Sequence, residues 1–167
     1  AASDVYKRQA YYSCGEDSSE LFDGLQISRS ESYRKNLNQY DVIKVNMQDF
    51  LSMAHSMDEM LEMLQRYLIR ELTRSFEAVD FFDRTNLIQM LKDIYAETDR
   101  AFVILIDEWD CLFREYQHDQ VAQRKYLDFL RAWLKDQDYV ALAYMTGILP
   151  IKKYGTCLLY TSDAADE

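Results

Sequence analysis

Phe102-Val-Ile-Leu-Ile-Asp-Glu-Trp-Asp110 is the stretch on which the reading of this chain turns. Five consecutive apolar residues, Phe102–Ile106, leave no polar face. Such a run fits a strand buried on both sides, as in a parallel sheet covered by helices. The run stops on two adjacent carboxylates, Asp107 and Glu108, with a third at Asp110. In open α/β sheets ligands collect beyond the carboxyl ends of the strands, so a carboxylate pair there is placed for chemistry. Asp107, set rigidly by the apolar strand behind it, suits Mg²⁺, which is commonly held by one or two carboxylates together with phosphates and waters. Glu108, one step further and expected to turn the other way, suits polarising a water for in-line attack on a phosphoryl group. The competing structural reading is that Asp107 caps the following helix.

Working outward, Tyr139–Met145 (YVALAYM) reads as a second strand buried on both faces. It ends in Thr146-Gly147, a polar strand tip that also suits a simple turn. Lys152 and Lys153 beyond it are in reach of a phosphate but read more plainly as a solvated pair. Asp41–Met47 (DVIKVNM) is a third strand. Between the strands lie helices. Ser56-x-x-Glu59 fits a capping box, followed by Met57, Met60, Leu61, Leu64, Leu68, Leu72 and Phe76 on one apolar face. The methionines there read as core filling. A second helix carries Leu87, Ile88, Leu91, Ile94 and Tyr95 inward. A third, from about Asp119 to Lys135, carries Ala122, Tyr126, Phe129, Leu130 and Trp133. Before the first strand, Ala10–Gly15 reads as a helix end stopped by Gly15. Ser18–Leu25 reads as a short helix or turn with Leu21, Phe22 and Leu25 inward, and Tyr33–Leu37 as another. The alternation of strands and helices is that of an α/β layer fold with one domain and no internal repeat.

Composition narrows the function classes. The chain has 167 residues, 49% apolar and 14% aromatic, enough for a substantial core and against disorder. One Pro and four Gly exclude collagen-like, low-complexity and turn-dense all-β chains. No apolar run approaches the ~20 residues of a membrane span, and no stretch has a signal-peptide layout. Cys14, Cys111 and Cys157 show no metal or disulfide spacing, and two His add no ligand pattern. A reducing cytoplasm is the expected location. A formal charge of −10, from 19 basic and 29 acidic residues, argues against a broad nucleic-acid surface and gives no direct nucleic-acid signal.

The two ends read differently from the rest. Back-translation of Ala1–Gln9, reverse-complemented and shifted by one base, encodes Cys-Leu-Leu-Tyr-Thr-Ser-Asp-Ala, the residues from Cys157 onward. That DNA resembles the transposon adapter used to prepare sequencing libraries. Residues 1–9 and 157–167 are therefore expected to be adapter-derived, and 10–156 to be the natural segment of a longer frame.

FDGLQI (Phe22–Ile27), LNQYDVIKVNMQDF (Leu37–Phe50), VILIDEWD (Val103–Asp110) and YMTGILPIKKYGT (Tyr144–Thr156), in this order and spacing, resemble the predicted AAA-ATPase-like family of bacterial and archaeal P-loop proteins. The resemblance covers essentially all of 10–156. It implies a three-layer P-loop fold, ATP and Mg²⁺ as ligands, ATP hydrolysis, and often a C-terminal nuclease-like domain in the parent protein. It matches Asp107 and Glu108 to the Walker B acidic pair, with Asp107 on the metal and Glu108 catalytic. It puts Thr146 at the position that senses the γ-phosphate and helps hold the attacking water. One departure is plain: no G-x-x-x-x-G-K-S/T occurs, and none of the four Gly precedes a Lys. The first strand and phosphate loop are expected to precede Ala10, leaving a partial domain that does not itself turn over ATP. Phe102–Ile106 and Tyr139–Met145 are then expected to flank an absent central strand, an open position that invites aggregation.

Two other readings compete. In one, the chain is a non-catalytic α/β interaction module, with Asp107 and Glu108 as caps. In the other, Asp107, Glu108 and Asp110 hold the metal of a nuclease. That second reading lacks the nearby catalytic Lys, since none lies in Asp107–Glu115.

Overall fold

The unbroken apolar run becomes β2 (Phe102–Asp107), the middle strand of a three-stranded parallel sheet. The structure, a computed structural model, describes residues 2–15 and 17–148. β1 (Asp41–Asn46) pairs along one side of β2, with Val42 opposite Val103 and Asn46 opposite Asp107. β3 (Val140–Met145) pairs along the other, with Val103 opposite Leu142 and Ile106 opposite Met145. Strand alternation then splits β2 between two cores. Val103 and Leu105 pack with Val5 of α1 (Ala2–Tyr12) on one face. Phe102, Ile104 and Ile106 join the larger core on the other. That core is covered by α4 (Met47–Met53), α5 (Met57–Ser75), α6 (Leu87–Thr98) and α8 (Gln120–Leu134). The chain is thus an α/β protein with helices on both faces of a parallel sheet.

The helices start where side chains can satisfy free backbone donors. Ser56 Oγ accepts from the Glu59 amide at 3.2 Å, as the capping box requires. The return bond is set one residue earlier than expected: Glu59 Oε2 accepts from the His55 amide at 2.7 Å. Asn86 and Asp119 cap α6 and α8 in the same manner. Met57, Met60, Leu64, Leu68 and Leu72 form the buried face of α5, and Met47 and Met90 are buried too. These four methionines fill the core.

Several expectations are corrected. β2 and β3 do not flank a missing strand; they are hydrogen-bonded neighbours, and the far sides of β1 and β3 are the two edges of the sheet among the described residues. β3, an edge strand, is only partly covered although its composition reads as fully buried, and Ala141 is exposed where the pairing with β2 slips by one residue between Phe102 and Val103. Leu21 and Leu25 are 67% and 53% exposed, while Phe22 is buried between Tyr11 and Tyr33. In α2 (Ser19–Phe22), a single turn, neighbouring side chains diverge by about 100° and cannot both face inward. The first helix begins at Ala2 and ends at Tyr12, so Gly15 is not its stop. Val5 in its first half is fully buried. Met47 leaves the strand and opens α4, because Asn46 caps that helix by accepting from the Gln48 amide at 2.9 Å. A 3-10 turn, Gln26–Arg29, and α3 (Glu31–Asn36) complete the N-terminal part.

Candidate functional site

β2 and β3 are parallel neighbours, so their carboxyl ends lie side by side. Four backbone and side-chain bonds join the two exits. The Thr146 amide donates to Ile106 O at 2.9 Å, and the Trp109 amide donates to Thr146 O at 3.1 Å. The Thr146 hydroxyl donates to Asp107 Oδ1. The Ile148 amide donates to Asp110 Oδ2 at 3.0 Å. Asp107 and Thr146, read from sequence as members of one site, are thus in direct contact. Asp107 Oδ1 also accepts from the Glu108 amide at 3.0 Å. Asp107 does not cap a helix; the N-cap position of α7 (Cys111–Glu115) belongs to Asp110.

Glu108 lies just beyond the strand with a left-handed backbone, φ 52°. Strand alternation therefore does not set its direction. A non-glycine residue in that region costs about 1–2 kcal/mol, and such residues cluster at functional sites. The turn brings Glu108 Oε2 to Arg114 Nη2 on α7, a hydrogen-bonded ion pair with both side chains about one-third exposed. Burial works against the Arg114 charge, but the Glu108 hydrogen bond and the Asp110 and Glu108 charges outweigh it and raise its pKa.

Sequence reasoning gave Trp109, Asp110 and Cys111 no role. Trp109 is buried against Phe113, and its carbonyl accepts from the Tyr126 hydroxyl at 2.6 Å, so the indole packs rather than stacks on a ligand. Asp110 is fully buried and ties the turn after β3 to the loop after β2. Cys111 is buried, and burial pushes its thiol up to about 12. Arg114 was missed altogether. Its spacing of six from Glu108 is no helical pairing, and only the left-handed turn closes the gap. Lys152 and Lys153 lie outside the described residues.

The donor set decides what the site can hold. Among the described residues no group of three His, Cys, Asp or Glu is arranged as a metal cage. One strand-end carboxylate with a neighbouring hydroxyl fits a hard cation held mainly by phosphates and water, the usual situation of Mg²⁺. No described loop offers the glycine-rich amide cradle and Lys that nucleotide phosphates need. The residues present fit the metal and not the phosphates. Among the described residues, no helix is long and apolar enough to cross a membrane.

Comparison with known proteins gives the family of the chain. Residues 7–157 match the family model described as Predicted AAA-ATPase. Searches among curated proteins and among solved structures return no match. On a match that spans nearly the whole chain, over a parallel sheet whose central strand ends in the acidic pair, the protein belongs to the predicted AAA-ATPase-like family.

Proposed function

We propose that the carboxyl ends of β2 and β3 are the acidic half of an ATP-hydrolysing centre. The observation that carries this is the Thr146 hydroxyl on Asp107 at the tips of adjacent parallel strands. When bound, Mg-ATP supplies a cation-neutralised γ-phosphoryl group open to attack by water. Asp107, held by the Thr146 hydroxyl and the Glu108 amide, presents its carboxylate to the cation. Glu108, acting as Walker B glutamate, orients and polarises the attacking water. Thr146, whose hydroxyl donates to Asp107, would have to turn that proton from Asp107 to a γ-phosphate oxygen in order to sense it. The phosphate cradle is contributed by sequence other than these 167 residues, since none of them forms a G-x-x-x-x-G-K-S/T loop.

The test is ATP turnover in the gene product that joins these residues to a phosphate loop. Glu108→Gln there is expected to lower kcat by roughly a hundredfold or more while nucleotide stays bound. Turnover unchanged by that substitution overturns the assignment.

A further inference from the structure

Asp107, Glu108 and Asp110 fall within four positions, yet the fold sends each to a different partner. Asp107 meets Thr146, Asp110 is buried against the Ile148 amide, and Glu108 meets Arg114. We propose that Arg114 is a positioning residue that keeps Glu108 out of the coordination shell of a cation bound at Asp107. This rests on the reading of Asp107 as the metal carboxylate.

Three features support it. The left-handed turn at Glu108 aims its side chain at α7 and away from the course of β2. The Arg114 guanidinium stays charged, held so by Glu108 and Asp110. Its Nε is buried with no hydrogen-bond partner, so its hold on Glu108 runs through Nη2 alone. A one-ended hold is weaker than a forked one, which suits a carboxylate that must still turn to water. Without Arg114, Glu108 is an uncompensated anion beside a cation site. The physical outcome is then a second carboxylate on the metal, with tighter binding and no free base.

Manganese(II) titrated to millimolar concentration into the 167-residue chain, as a site of one carboxylate requires, with free ion read by electron paramagnetic resonance, tests this without any turnover. Absence of any saturable site in that range overturns the proposal. Arg114→Gln is expected to bind Mn²⁺ roughly tenfold more tightly, since affinity follows the charge and number of ligands. Adding Glu108→Gln to that variant should return the affinity to the parent value, and Arg114→Lys should stay near it. A merely structural role for Arg114 gives no tightening, and loss of its charge alone tightens binding through space without changing the ligands of the ion. A changed spectrum of bound Mn²⁺ in Arg114→Gln, lost on adding Glu108→Gln, marks Glu108 in the shell, and an unchanged one overturns the proposal. Affinity unchanged or weakened in Arg114→Gln overturns the proposal. If that variant does not fold, Glu108→Gln alone decides: unaltered affinity supports the proposal, and a tenfold loss shows Glu108 already on the metal and overturns it. Asp107→Asn separates the two readings. Binding lost there but not tightened in Arg114→Gln sinks only the role of Arg114. Parent-like binding in Asp107→Asn sinks the cation site and the role of Arg114 together.

Discussion

Gly147 marks the closest approach of the two strand exits. A Cβ there would stand 2.4 Å from Asp110 Oδ1 and 2.8 Å from Trp109 Cδ1. Neither neighbour can give way, because Asp110 is fully buried and bonded to the Ile148 amide and Trp109 is packed on Phe113. Gly147→Ala is therefore expected to cost about 1–3 kcal/mol, read as a lower urea midpoint. Cys111 gives a second residue-scale expectation. Its thiol is raised from 9.0 to about 12 by burial. The unfolded chain then ionises this thiol before the folded one does. Its contribution to stability is whole below pH 9 and is lost as pH rises toward about 12. Urea midpoints measured across that window should fall with pH, and fall less steeply in Cys111→Ala. The buried Tyr126 hydroxyl, also raised by burial, adds to the fall in both proteins.

Among the elements, α5 is the longest helix and rests on one hydroxyl at its start. Ser56→Ala removes the acceptor of the Glu59 amide and is expected to cost about 1 kcal/mol, read by thermal or urea unfolding. This helix was legible because two signals agree over 19 residues: the cap and the apolar face. β2 was legible because an unbroken apolar run has one economical place, the middle of a covered sheet. Asp107 and Thr146 were read as one site from the family resemblance, and their direct contact, which needs β2 and β3 to be neighbours, was not legible in the sequence. α4 was hidden because it follows β1 with no breaker, and Met47 belongs to either pattern. α7 was hidden because five residues are too few for periodicity, and Asp110 spends its carboxylate on Ile148 rather than on a cap. The Glu108–Arg114 pair was beyond sequence reading because it depends on a left-handed turn that Glu does not signal.

Among the described residues the sheet has two edges, and beside β1 the chain adds only the Ser13–Tyr40 bridge at its start. The far edge of β3 pairs with no strand among the described residues, and its residues are mostly half-buried apolar ones. Unpaired parallel edges recruit other chains. Placing a charge there, Ala141→Lys, should shift the chain toward monomer in sedimentation velocity with little change in melting temperature, because Ala141 already faces solvent. The net charge of −10 opposes such association at low ionic strength, so the contrast should widen as salt is added. The placement of the two tryptophans has a practical consequence. Trp133 is buried in α8 with its indole N–H unpartnered, and Trp109 sits in the acidic loop beside Asp107 and Asp110. Trp133→Phe removes an unsatisfied donor and leaves one indole, so the loop that would greet a cation carries its own fluorescent lamp, readable without any label.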